Sequence, residues 1–183
     1  MATAADADAI AHIYAPYVRD TVISFELTPP TAQEMAARLT TTLEHFPWLV
    51  VTDADHVVGY AYAGPHRSRE AYRWCAEVSL YFAASAHRRG HGRRAYTALV
   101  NVLAAQGYIN AYAGIALPNA ASVGLHEALG FSHIGTYERV GFKMGKWWDV
   151  GWWHRPLCAP PERPADPRPW SELPADVVAA ALA

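Results

Sequence analysis

The sequence predicts a mixed α/β fold, a single mixed central sheet with helices on both faces. Three observations predict it. Segments of helical period alternate with short apolar strands: two helices, a hairpin, a strand–turn–helix unit, a strand, a helix and terminal strands. The unit from Glu77 to Leu103 joins a strand to an amphipathic helix through a turn that holds two glycines. No internal repeat interrupts this order, and 183 residues suffice for one hydrophobic core.

Each element has its own signal. Ile10, Ile13, Tyr14, Tyr17 and Val18 recur at helical spacing after a capping sequence, Thr3–Asp6, and Pro16 is expected to kink or shorten that helix. A second capping box, Thr31–Glu34, opens a helix with Met35, Leu39 and Leu43 as its buried stripe. Trp48–Thr52 and Val57–Gly64 read as a hairpin turning at Asp53–His56, Pro65–Tyr72 as a loop, and Arg73–Phe82 as a long strand. Ala95, Leu99, Val102 and Leu103 mark the helix that follows, with Gly107 as its stop. Tyr108–Ala116 is a strand, Ala121–Leu129 a short helix ended by Gly130, and Phe131–Tyr137 a strand. The aromatic segment Phe142–Leu157 predicts one more strand around Trp148–His154. Residues 156–169 are proline-rich and read as irregular, and Leu173–Leu182 as a closing helix.

Composition narrows the function. Hydrophobic residues make up 52% and charged residues 17%, a globular balance. The net charge of −2 argues against nucleic-acid binding, because the arginine cluster is local. No apolar run approaches the ~18 residues of a membrane span, and no signal peptide is visible. Cys75 and Cys158 have no metal-ligand spacing, so no metal is expected, and the chain reads as a cytoplasmic protein. Seven tryptophans and ten tyrosines fit a pocket or an interface as well as a packed core.

The chemistry gathers in Glu77–Arg94. Helix N-termini carry orphan N–H donors and bind anions, Gly90 and Gly92 permit close backbone approach, and Arg88, Arg89, Arg93 and Arg94 bring charge suited to phosphate. This is a pyrophosphate-binding turn by residue type. A P-loop string is lacking. Gly90, Gly92 and Ala95 match the dinucleotide fingerprint G-x-G-x-x-G/A, but no acid follows between Tyr108 and Pro118 to hold a ribose. His87-Arg88-Arg89-Gly90-His91-Gly92 fits the acyl-CoA signature Q/R-x-x-G-x-G/A.

That turn and the element order resemble the GNAT acetyltransferases. Asn119-x-x-Ser122-x-x-x-His126-x-x-x-Gly130-Phe131 resembles the superfamily's second signature. Tyr-Ala-Gly-Pro at 62–65, Ala-Glu at 76–77, Leu-Pro-Asn at 117–119, His-Glu-Ala-Leu-Gly at 126–130, Gly-Phe-Lys at 141–143 and Trp-x-Asp-Val-Gly-x-Trp at 147–153 resemble, more narrowly, the phosphinothricin acetyltransferases. The resemblance covers residues 1–155 as one acetyltransferase domain and leaves 156–183 as a proline-rich extension with a short helix. Two departures stand out. Only Met1-Ala-Thr precedes the first helix, where the superfamily has a strand, so that strand is missing or stunted or the start site misassigned. His87 and His91 replace the glutamine and leucine frequent in the family.

The resemblance implies direct transfer of an acetyl group from acetyl-CoA to the amine of a small acidic amino acid resembling phosphinothricin or methionine sulfoximine. It places Glu77 as general base, though a strand glutamate in a salt bridge is the ordinary alternative. It assigns Leu80, Tyr81 and Phe82 to the pantetheine and thioester carbonyl, and Arg88, Arg89, Gly90, His91, Gly92 and Arg93 to the phosphates. His126 would protonate the leaving thiolate or orient the acceptor, and reads equally as a surface residue of its helix. Asn119 would bond the pantetheine arm or serve only as a helix cap. Phe25, Arg67, Arg69, Tyr72, Ser79 and Val150 fall at acceptor positions; a solvated basic loop is the plainer reading of the arginines. A homodimer is implied, with the tryptophans of 147–153 at the interface or in the core. Two other functions stay open: a non-catalytic acyl-CoA-binding module, and a dinucleotide-dependent oxidoreductase.

Overall fold

The computed structural model describes all 183 residues. Five α-helices, α1 (Ala7–Asp20), α2 (Ala32–Leu43), α3 (His91–Gln106), α4 (Ala120–Ala128) and α5 (Ala175–Leu182), surround one sheet. Its six strands are β1 (Trp48–Asp53), β2 (His56–Pro65), β3 (Cys75–Phe82), β4 (Asn110–Leu117), β5 (Ser132–Lys143) and β6 (Lys146–Pro156), ordered β1-β2-β3-β4-β6-β5. Only β3 and β4 run parallel.

Alternation along the strands divides the core. Trp48, Tyr60 and Tyr81 face Ile10, Tyr14 and Val18 of α1 and Met35 and Leu39 of α2. Leu49, Ala61, Ala63, Ala76 and Val78 face Ala95, Tyr96, Leu99 and Leu103 of α3 on the other side. Helices therefore cover both faces. Leu39, Leu99 and Leu103 are fully buried, each contributing about 1.5–3 kcal/mol of apolar transfer.

Both outer hairpins close on two residues of positive φ, Ala54-Asp55 and Met144-Gly145, whose backbone twist suits tight antiparallel turns. The expected break near Tyr137 is instead a bulge. β5 continues to Lys143, and the amide of Arg139 (φ 50°) donates to Asp149 Oδ1 at 2.7 Å. This is a tertiary bond that strand periodicity does not encode.

One further expectation is corrected and another is met. Pro16 does not end α1, which runs through it to Asp20. Pro16 and His12 lie on the exposed face, where water can satisfy the carbonyl that proline leaves unpaired, while Ile13, Tyr14 and Val18 bury the opposite stripe. No strand precedes α1; at the β1 edge the amide of Ala2 donates to the carbonyl of Trp48 at 2.7 Å.

The proline-rich tail crosses the back of α3. Trp170 Nε1 donates to the Leu43 carbonyl (2.8 Å), Trp74 Nε1 to that of Ala165 (2.8 Å), and Leu173 and Ala181 bury Val102. Gln106, 2% exposed, donates through Nε2 to the carbonyls of His45 (2.7 Å) and Arg168 (2.8 Å), pinning the tail to the α2–β1 connection. Gln106→Met keeps the volume and removes both bonds. It should cost about 1–3 kcal/mol, read in thermal unfolding as a fall in Tm of roughly 2–4 °C per kcal/mol. An unchanged Tm would show that the tail is held without this side chain.

Candidate active site

The sheet opens at its centre. β3 and β4 pair only at Cys75–Asn110, Ala76–Ala111 and Glu77–Tyr112, yet β3 continues to Phe82 and β4 to Leu117. Beyond Glu77 the strands part. The amide of Ala83 bonds the carbonyl of Val58 on β2 at 2.9 Å, so alternation turns the carbonyl of Val78 and the main-chain groups of Leu80 and Phe82 away from β2 and into the gap. The resulting cleft is lined by Ser79, Leu80 and Tyr81 of β3, by Ala113–Ala116 of β4, and by Tyr96, Asn119, Ser122 and His126 from the helices. One wall is strand backbone with hydrogen-bonding capacity unspent within the sheet.

The glycine turn closes the C-terminal end of β3. Arg88 (φ 58°) and Gly90 (φ 81°) both take positive φ, and Gly90 caps α3. The first intrahelical bond is Arg94 N to the Gly90 carbonyl, which leaves the amides of His91, Gly92 and Arg93 as the orphan donors of a helix N-terminus. Gly90 needs its glycine for its φ. Gly92 has no positive φ, and a Cβ there would meet Leu125 Cδ2 at 3.4 Å and the Leu80 methyls at 3.9 and 4.0 Å, ordinary contacts. No acidic residue occurs from Val78 to His126, so the turn's positive field has no counter-charge in that stretch. Arg89 departs from expectation: its guanidinium is tied to Asp53 at 2.6 Å in the β1–β2 turn. Arg88 and Arg93 make no ion pair within the chain. His91 stacks on Phe82 and buries an unpartnered Nε2.

Glu77 stands where the strands separate, half-buried, on the same β3 face as Ser79 and Tyr81. Burial pushes its carboxyl above the ordinary glutamate range, and the Arg67 cation pulls it part of the way back. Arg67 lies over the Trp152 ring at 5.2 Å and reaches Tyr137 Oη at 3.4 Å. Arg69 is exposed and its guanidinium has no partner in the chain; Tyr72 closes the short 3₁₀ turn after it, 41% exposed. The loop thus places two arginines and a tyrosine at the end of β3 that carries Glu77. Val150 sits on β6 between Ala116 and Tyr137.

Two expected residues carry bonds within the protein. His126 is only 4% exposed, not a surface residue of its helix. Its Nδ1 lies 2.7 Å from the Ser122 carbonyl, which can only accept, so Nδ1 holds the proton and Nε2 accepts from the Tyr96 hydroxyl at 3.1 Å. Burial holds this imidazole below the usual histidine range, against the pull of the Ser122 bond, and so keeps it neutral. Asn119 is the cap of α4, its Oδ1 accepting from the Ser122 amide at 3.1 Å, while its amide nitrogen keeps its donors. The Phe82 carbonyl is likewise taken, by Tyr17 Oη at 2.6 Å.

Sequence reasoning missed Tyr17, Tyr96, His66 and Lys143. Tyr96 had a legible signal: it follows Gly92 by one helical turn, on the face that meets the cleft. Lys143 had none. It is 6% exposed and donates through Nζ to the carbonyls of Val18 and Ser24, each at 2.6 Å, fastening the segment after α1 to the end of β5. Phe25 in that segment packs on Gly141, where no side chain would fit.

The sheet thus parts beside a helix N-terminus, with a carboxylate at the fork. The family model described as an acetyltransferase (GNAT) domain matches residues 1–152, and the chain belongs to that family, whose members take their acetyl group from acetyl-CoA. It is 42% identical over 168 residues to phosphinothricin N-acetyltransferase of Streptomyces viridochromogenes, covering 92% of this chain and 90% of the relative. It is 36% identical over 148 residues to the L-methionine sulfoximine/L-methionine sulfone acetyltransferase of Pseudomonas aeruginosa, covering 80% and 86%. Among solved structures, a phosphinothricin acetyltransferase from Sinorhizobium meliloti in complex with AcCoA superposes with a TM-score of 0.84 at 37% identity, over 89% of this chain and 92% of that one. The chain is therefore an N-acetyltransferase, and the oxidoreductase and non-catalytic readings fall away.

Gly92→Val probes the turn without a φ penalty. It should leave Tm within about 2 °C and weaken acetyl-CoA binding by about tenfold, ~1.4 kcal/mol, measured by calorimetry. Full affinity in a folded variant would move the pyrophosphate elsewhere.

Proposed function

We propose that the enzyme acetylates the α-amine of a small amino acid bearing a second acidic group, of the phosphinothricin or methionine sulfoximine type. The half-buried Glu77 at the fork of β3 and β4, between the phosphate turn and an arginine loop, carries the reading. An amine arrives as an ammonium and must lose a proton before its lone pair can attack. A carboxylate whose affinity for protons has been raised by burial is suited to take it. The amine nitrogen then bonds to the thioester carbon, the C–S bond breaks, and the thiolate leaves and is protonated. Main-chain amides of β3 facing the gap, at Leu80 and Phe82, would hold the carbonyl oxygen as charge develops on it, with Tyr81 packed beneath against Tyr14, Tyr17 and Tyr60. Arg88 and Arg93 with the amides of Gly90, His91 and Gly92 would hold the phosphates; Arg89 supports the turn through Asp53. Asn119 would offer its amide nitrogen to the pantetheine.

His126 would act through Tyr96. Its Nε2 accepts from the hydroxyl that lines the cleft and its own proton is committed to Ser122, so it would fix the orientation of Tyr96 Oη, and the thiolate would take the proton that the amine nitrogen sheds as the C–S bond breaks.

Arg67, Arg69 and Tyr72 would receive the acceptor's acidic groups, Arg69 most directly because no protein carboxylate competes for it. Guanidinium binds carboxylate and phosphinate by paired hydrogen bonds. Phe25, Ser79 and Val150 would line the remainder of the pocket.

We also read residues 1–155 as the acetyltransferase domain, 156–183 as an extension packed on it, and the enzyme as a cytoplasmic homodimer. No helix is long and apolar enough to cross a membrane. For the dimer, support comes less from the tryptophans at 147–153 than from β5. Trp153 is buried and Trp147 exposed, while Ile134, Tyr137, Val140, Phe142 and Met144 along the edge hairpin are all about half exposed.

Glu77→Gln should lower kcat by about 10²–10⁴-fold at neutral pH with little change in acetyl-CoA affinity. In the parent, kcat/KM should fall as pH drops through a Glu77 pKa above the ordinary 4.5, because the proton-accepting form is the ionised one. A neutral-pH rate unaltered by the substitution would remove Glu77 from the chemistry. Arg69→Ala should raise the acceptor KM by roughly 10–100-fold, for a charge-assisted pair worth ~1.5–3 kcal/mol. A preference for cationic amines would refute the acceptor class alone.

A further inference from the structure

We infer that His66 is a positioning residue for Glu77: its Nδ1–H donates to Oε2 of the carboxylate, turns the other oxygen toward the acceptor amine, and stabilises the ionised form. The inference rests on Glu77 being the base.

Three observations carry it. His66 Nδ1 lies 3.4 Å from Glu77 Oε2 across the β2–β3 edge. That nitrogen is buried and has no hydrogen-bond partner within the chain; the Glu77 oxygen is close to it without meeting hydrogen-bond geometry. The ring is held in place, stacked on Tyr112 at 4.2 Å and 13°, edge-on to Trp152 at 5.4 Å and to Tyr72 at 6.4 Å, with its side chain 11% exposed. A flat ring so fixed cannot turn Nδ1 toward water.

The position of the proton follows from the partner. An ionised carboxylate offers only lone pairs. An unprotonated Nδ1 would set two lone pairs against each other, so the stable tautomer carries the hydrogen at Nδ1. A bond of this kind favours the charged carboxylate, offsetting part of the desolvation that raises Glu77. At 3.4 Å the two atoms stand just outside hydrogen-bond geometry, and catalytic hydrogen bonds commonly tighten once the acceptor closes the site.

The ionisable surroundings agree. Around His66 stand Glu77 and Cys75 on β3, Arg67 and Tyr72 on its own loop, and Tyr112 on β4 with His154 stacked behind it. Burial and then the Arg67 cation hold the imidazole below the usual histidine range, so it serves as a neutral donor through the working pH. Glu77 is the one carboxylate among these groups.

The test compares His66→Phe, which keeps a flat ring on Tyr112 and removes the donor, with His66→Asn, which places an amide N–H near the Nδ1 position without a titrating group. His66→Leu replaces Phe should that variant not fold. The readout is kcat/KM for the acceptor against pH, with acetyl-CoA affinity as the control for the fold. In His66→Phe the acid limb should move up by about one pH unit, costing about tenfold below the limb and less than about twofold on the plateau. His66→Asn should restore most of the parent profile. A uniform loss at every pH, or a limb that does not move, would overturn the inference. Glu77→Gln measured alongside separates the two claims. If it leaves the rate intact, the base assignment fails; if it abolishes turnover while the His66→Phe limb stays put, only the role of His66 fails.

Discussion

Three residue pairs of parallel ladder hold β3 to β4, and where they end the molecule acquires its site. β3 stays paired with β2 from Ala76 to Phe82 and β4 with β6 along its own length, so neither strand depends on the other beyond Glu77 and Tyr112. The sheet can therefore part without unravelling. Main-chain polar groups inside a protein need partners, and those exposed by this fork find none in the ladder. A ligand with amide groups of its own, lying between the strands, would supply them.

Everything else orients chemistry about that fork. The glycine turn brings α3 to one end of β3 with its amides aimed outward; the arginine loop begins at the other end. Glu77 belongs to the last residue pair before the parting, close enough to Arg67 to feel its charge. The opposite wall is secured by bonds distant in sequence. Lys143 reaches back across more than a hundred residues to the carbonyls of Val18 and Ser24, and Gly141 makes room for Phe25. A buried ammonium is expensive unless hydrogen-bonded, and here burial lowers its proton affinity while Glu26 restores part of it. Its two short bonds to carbonyls meet that need and fix the segment bearing Phe25.

The tail has a comparable structural part. Trp74 immediately precedes β3, and Ala165 receives its indole N–H; Arg73, beside it, pairs with Asp166 at 3.0 Å. The extension thus touches the chain just where the arginine loop enters β3. Both contacts join residues more than ninety positions apart, and neither has a local sequence signature.

The sequence by itself determined the element order, the capping box at Thr31, the glycine stop at Gly107 and the turn at Gly90, because helix period, caps and positive-φ glycines act within a few residues. It also determined which residue types gather around the anion site, and with them the family. Tertiary structure alone decided how those residues are used. Arg88 and Arg89 look alike in the string, yet one is free and the other bound to Asp53. His126 could have been a surface donor, and burial against Tyr96 and Ser122 made it a neutral acceptor. Pro16 should interrupt a helix, and one buried stripe with one wet face let the helix pass through it. His66 carried no motif at all until a strand register set it beside Glu77. Charge, proton affinity and hydrogen-bond partners depend on distances and burial between segments far apart in the chain, and these exist only once the sheet has formed.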